Sequence, residues 1–181
     1  MPPQLIVALR HGEKDLGPDG KERQHEHGLN PAGFARAQRL VTTLRPGALL
    51  PDAAAEPERF LVPFYDPGED DAPTEQHRPY QTVAPLATAL GTVPIAPCPR
   101  DAENRLAAIT RAAAVGTLVV CWEHDSLVKW LQKLSYATTV TRSDGGPLPN
   151  DWDGTDFDTI WLLERDEAAN SYVFDTRSQA G

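Results

Sequence analysis

Five consecutive apolar residues, Leu5-Ile6-Val7-Ala8-Leu9, run directly into Arg10-His11-Gly12. A run of this length without polar alternation reads as a strand covered on both faces, and helices on both sides of a sheet provide that cover. A second run, Thr117-Leu118-Val119-Val120-Cys121-Trp122, ends in Glu123-His124-Asp125. Helical spacing recurs between and after them. Asn30-Pro31 supplies an N-cap and a proline at the first helical position. Phe34, Ala37, Val41 and Leu44 would form that helix's apolar stripe, and Arg45-Pro46-Gly47 would end it. Val83, Leu86, Ala87 and Leu90 repeat the spacing, and Pro85 predicts a late start near Gln81 or a kink. Asp101 is expected to cap a helix through Leu106, Ile109 and Ala113, closed by Gly116. Leu127, Leu131 and Leu134 share one face of a last helix. Phe60-Leu61-Val62 is a short strand, and Thr159 to Leu163 with Ser171 to Phe174 suggest a closing hairpin. Residues 143–158, rich in Asp, Gly and Pro, predict irregular chain. The alternation indicates an α/β fold with a mostly parallel sheet, the two terminal strands adding antiparallel edges.

The length, 181 residues, suits one domain spanning 1–181, and a hydrophobic content of 40% is enough for its core. Pro and Gly are scattered through loops, without repeats or a linker. The formal charge of −9 argues against nucleic acid or an anionic membrane as a partner. The acids concentrate in two stretches, Asp66 to Glu75 and Asp144 to Asp158, so a small anion held in a local cationic pocket is not excluded. Cys98 and Cys121 lie far apart and outside any metal-ligand spacing, which suits reduced buried thiols. No segment has the apolar length of a signal peptide core or a membrane span, and a cytoplasmic location is the expectation.

In open α/β sheets the functional groups gather at the carboxyl ends of strands. That rule selects Arg10-His11 after the first strand, His124-Asp125 after the central one, and Arg78 at the helix following the second. Arginine presents a planar fork of donors that grips phosphate oxygens in pairs. A neutral imidazole can attack phosphorus through one ring nitrogen while the other N–H is held by a carbonyl. A second imidazole can donate to the phosphoryl group, and Gly12 allows the backbone close to the anion. The chemistry these residues suit is phosphoryl transfer.

Leu9-Arg10-His11-Gly12-Glu13 resembles the signature of the histidine phosphatase superfamily, the phosphoglycerate mutase-like proteins. Leu29-Asn30-Pro31-Ala32-Gly33 with Ala37-Gln38, Arg78-Pro79-Tyr80-Gln81-Thr82, and Val119 to His124 resemble its later motifs, in family order, over roughly residues 4–135. The resemblance implies a three-layer α/β/α sandwich with His11 as nucleophile, forming a phosphohistidine. Arg10, Arg78 and His124 would form the phosphate pocket, with no metal or organic cofactor. The substrate would be a small phosphorylated molecule or a phosphohistidine protein. A non-catalytic phosphate-binding protein of the same fold and, ranked lower, a phosphomutase are the alternatives.

An alkoxide leaving group needs a proton from a carboxylic acid. His124-Asp125-Ser126 resembles the branch in which Asp follows the second histidine and serves as the acid, which selects Asp125. Glu103, Asp101 and Glu13 are the other carboxylates considered. Two departures from the family pattern stand out: no Ser-Ser-Pro-like turn precedes Arg78, and Glu123 occupies a place commonly held by Gly. Glu123 would either raise the pKa of His124 or point away from it. Lys14 is a candidate cation at the pocket mouth. His25 and His27 lack a third metal ligand and read as loop residues, and His77 reads as a spectator beside Arg78. Trp122, Trp130 and Trp161 read as core, and Trp152, among Asp and Gly, as a residue over a pocket.

Overall fold

The computed structural model describes residues 1–14, 28–64 and 77–179. The His25/His27 pair and the whole of the first acidic stretch therefore lie outside the described residues. In chain order the elements are β1 (Leu5–Arg10), α1 (Pro31–Thr43), β2 (Pro57–Leu61), α2 (His77–Ala89), α3 (Glu103–Ala112), β3 (Thr117–Trp122), α4 (His124–Ala137), β4 (Val140–Arg142), β5 (Thr159–Asp166) and β6 (Ser171–Ser178). The strands form one sheet in the order β2-β3-β1-β5-β6-β4.

β1 pairs in parallel with β3, β3 with β2, and β4 with β6, while β5 is antiparallel to both β1 and β6. Only β5 runs against the others. The expected hairpin is present, but neither of its strands is an edge; β4, three residues long and too short to leave a pattern, covers β6.

Alternation along β1 divides its side chains between two cores. Ile6 and Ala8 pack with Leu106, Leu127, Leu131 and Leu134 of α3 and α4. Leu5, Val7 and Leu9 pack with Leu40 of α1 and Val83 and Leu86 of α2. The result is a three-layer α/β/α sandwich in which every residue of β1 is buried, as the unbroken apolar run requires. Cys98 and Cys121 belong to opposite cores and both are free, so the sheet separates them. No helix among the described residues is long and apolar enough to cross a membrane.

Three helices differ from expectation. In α1 the buried residues are Gly33, Arg36, Ala37 and Leu40, whereas Phe34 is exposed. The helix is turned because Gly33 packs against the chain after β1: a Cβ there would stand 2.5 Å from the Glu13 carbonyl oxygen. A buried arginine thus occupies the inward stripe. Helix α2 begins at His77 and runs through Pro85, which lacks one N–H donor while the surrounding turns hold. Helix α3 starts after Ala102, so Asp101 is not its cap, and it closes at Ala113 rather than Gly116. The Gly116 N–H instead donates to Glu58 Oε1 at 2.7 Å.

Candidate active site

β1 and β3 are parallel and in register, with Arg10 opposite Trp122. The His11 N–H extends the ladder by donating to the Trp122 carbonyl at 3.1 Å. The residues after each strand therefore emerge side by side at the carboxyl edge. His11 is 4% exposed, and its Nδ1 lies 2.7 Å from the Gly12 carbonyl oxygen. A carbonyl can only accept, so Nδ1 carries the proton and the lone pair is left on Nε2. Burial pushes the imidazole pKa down to about 3, and the charges of Arg78, Arg10 and Lys14 reinforce this against the Gly12 hydrogen bond. His11 is neutral throughout the physiological range.

The turn that holds His11 is fixed from α2. The Gly12 N–H donates to Thr82 Oγ1 at 2.8 Å, and Thr82 Oγ1 donates to the Arg78 carbonyl at 2.7 Å. Arg78 is buried in the first turn of α2, close enough to act electrostatically on both His11 and Arg10.

Arg10 is held by residues 153–157. Its Nη1 donates to the carbonyl of Gly154 at 2.6 Å, with those of Asp156 and Asp153 at 3.3 and 3.4 Å. The Phe157 ring lies 3.9 Å from its guanidinium carbon and 6.3 Å from the His11 ring. Arg10 Nε is buried and has no hydrogen-bond partner. Burial lowers the Arg10 pKa, with Asp156 opposing and Arg78 adding to the shift. An arginine remains charged despite such a shift.

His124 opens α4, with Glu123 as the capping residue. Burial, then the charge of Arg10, holds its pKa below the ordinary imidazole value. The charges of Asp125 and Glu123 act upward but are outweighed, and the Glu123 carboxylate is itself paired with Arg100, whose Nη1 lies 3.2 Å away. Asp125 stands at the mouth of the site, largely exposed, with Oδ1 3.4 Å from His124 Nε2. Glu13 points out of the site and accepts two hydrogen bonds from Arg36, at 3.0 and 2.6 Å. Burial alone would raise the Glu13 pKa, but Arg36 outweighs it and keeps the carboxyl ionised. Neither Asp101 nor Glu103 has a described bond to the site, and Glu103 sits in the first turn of α3.

The structure thus brings Arg10, His11, Arg78, His124 and Asp125 to one edge. Sequence reasoning missed Phe157 and Arg36. Arg36 was readable from the Gly33-Arg36-Ala37-Leu40 spacing. Trp152 is buried on Trp161 with ring centroids 4.3 Å apart, and its Nε1 donates to the Asp156 carbonyl. It anchors the loop from below, and Phe157 is the aromatic residue at the site. Among the described residues, no group of three His, Cys, Asp or Glu side chains can hold a metal ion.

This arrangement of sheet and helices is the phosphoglycerate mutase-like fold of the histidine phosphatases. The chain aligns over 97% of its length with a protein of Agrobacterium tumefaciens named phosphohistidine phosphatase SixA, covering 99% of that chain at 18% identity and a TM-score of 0.52. Protein histidine phosphatase SixA in complex with tungstate aligns over the same share, covering 97% of that chain at 16% identity and a TM-score of 0.54. A protein of Escherichia coli named alpha-ribazole-5'-P phosphatase covers 97% of this chain and 96% of its own, at 14% identity and a TM-score of 0.51. At these identities the likeness is one of fold. No family model and no curated protein matches the sequence.

Proposed function

We propose that this protein is a phosphatase that hydrolyses a phosphate ester or phosphoamidate through a covalent phosphohistidine on His11. The observation that carries the reading is the buried neutral imidazole, its Nδ1–H held by Gly12 and its Nε2 free to attack, beside Arg10 and Arg78. A nucleophilic imidazole must be unprotonated, and burial between two guanidinium groups keeps it so. In the first step Nε2 forms a bond to phosphorus while the bond to the leaving group breaks. The leaving atom keeps the electron pair and takes a proton from Asp125. In the second step water attacks phosphorus, the P–N bond returns its electrons to Nε2, and the water proton restores Asp125. Arg10, Arg78 and His124 hold the phosphoryl oxygens, on which charge builds during transfer. The substrate is a small phosphorylated molecule or a phosphohistidine-bearing protein in the cytoplasm.

Phosphate binding without turnover is the second reading, favoured by the carboxylates. Asp125 is mostly solvated, while Glu13 and Glu123 are each committed to an arginine. The experiment that separates the two readings uses an aryl phosphate and wild-type protein with His11→Ala. Hydrolysis is expected in the wild type and lost in the variant, with an acid-labile phosphoenzyme trapped only from the wild type. Equal activity in both proteins would refute the nucleophile. Saturable phosphate binding with no turnover across a broad panel would establish the second reading.

A further inference from the structure

We propose that Arg36 is a positioning residue for the phosphate pocket, fixing the loop that sets Arg10 to the turn that carries His11. The inference rests on the reading of Arg10 and His11 as a phosphate site. Arg36 is 6% exposed in α1. Its Nε and Nη2 grip both oxygens of Glu13, two residues after His11, and its Nη1 bonds Asp158 Oδ1. One rigid guanidinium therefore ties the Glu13 segment to Asp158, which lies 122 residues beyond Arg36 itself.

Each segment leads to a reacting group. On one side, the Glu13 carbonyl accepts the Asn30 N–H at 2.9 Å, and Gly33 packs against its backbone, so the chain after His11 rests on α1. On the other, the Asp158 N–H donates to Asp156 Oδ1, which closes the turn of the 153–158 loop. That loop presents the Asp153, Gly154 and Asp156 carbonyls to Arg10 Nη1 and lays Phe157 on the guanidinium. With Nη1 occupied, the buried and unpartnered Nε is left for a phosphoryl oxygen. The loop thus decides which edge of the Arg10 fork faces the substrate, and Arg36 decides where the loop sits. A lysine would keep the charge, but a single ammonium cannot bridge Glu13 through two parallel bonds and reach Asp158 as a planar fork does.

Inorganic phosphate is titrated by calorimetry into the wild type, Arg36→Lys, Asp158→Ala, Phe157→Leu and the Arg36→Lys/Phe157→Leu double variant. Aryl phosphate kinetics and thermal midpoints are measured on the same preparations. Arg36→Lys is expected to raise the phosphate Kd about tenfold and lower kcat between tenfold and a hundredfold, the scale of a misplacement near 1 Å. Asp158→Ala and Phe157→Leu should weaken phosphate by several fold. The double variant should be no worse than the poorer single one, since both substitutions act on one guanidinium. Unchanged phosphate affinity in folded Arg36→Lys or Asp158→Ala, or additive losses in the double variant, would overturn the proposal. If Arg36→Lys does not fold, Asp158→Ala, at a half-exposed side chain, decides alone. Wild type that binds phosphate without turning over ester refutes only the hydrolytic reading, and the affinities still judge Arg36. Wild type that binds no phosphate removes both.

Discussion

Replacing His11 by Gln should remove a specific acid sensitivity from the fold. The imidazole is buried with a pKa near 3, against an ordinary value near 6.5 in the unfolded chain. Between those values the unfolded state binds a proton that the folded state refuses, so wild-type stability must fall as pH falls. At pH 7.5 the contribution is close to zero. At pH 5 the unfolded chain gains about 1.5 pH units' worth of protonation, or about 2 kcal/mol. Native stabilities are of order 5–15 kcal/mol, so the effect is large enough to measure. The assay is urea denaturation of wild type and His11→Gln at both pH values in phosphate-free buffer, because an anion bound only by the native state would add its own stabilisation. The double difference cancels the titration of His124 and the surface carboxylates. It should show the wild type losing about 2 kcal/mol more than the variant on acidification. Equal losses in the two proteins would mean that His11 is not held neutral by burial, and the argument for its nucleophilicity would fail with it.

Three further substitutions test the same geometry. Gly33→Ala places a methyl group 2.5 Å from the Glu13 carbonyl oxygen, an approach that backbone cannot absorb without moving. A loss of about 1–3 kcal/mol in chemical denaturation is expected, with a fall in aryl phosphate turnover because Glu13 lies two residues from His11. Asp125→Asn should slow hydrolysis of an alkyl phosphate about a hundredfold while sparing a nitrophenyl phosphate, whose leaving group needs little protonation. Glu103→Gln should leave both rates unchanged, and steady-state rates on the two esters check the pair.

The legibility of this chain followed the strength of local signals. The apolar runs of β1 and β3 could only be doubly covered strands, and their polar ends placed Arg10, His11 and His124 at one edge. β4 is three residues paired at an edge, and its stability comes from β6 rather than from its own pattern. The α1 stripe includes the expected Ala37, Val41 and Leu44 but excludes Phe34 and takes in Arg36, which a pattern scoring only apolar residues cannot find. The helix buries a guanidinium whose cost is met by two carboxylates distant in sequence. Trp152, expected over a pocket, packs beneath the loop, and Phe157, for which the sequence carried no expectation, lies at the site. The reason is related. In a loop without periodicity, nothing local tells which aromatic ring packs beneath and which lies at the site. Glu123 is paired with Arg100, a partner 23 residues away that nothing local in the sequence announces.

The position of β1 has a consequence for how the molecule assembles. Its partners on either side are residues 117–122 and 160–164, both more than a hundred residues later in the chain. Pairings that distant are slow to form, because a long loop must close before any contact offsets its entropy. As the chain emerges from the ribosome, β1 is made long before the strands it pairs with. Until β5 is complete, the apolar run of β1 has an unpaired edge. Chain termination or proteolysis before residue 159 would leave that edge open to other chains, so aggregation rather than partial function is the natural fate of an incomplete molecule.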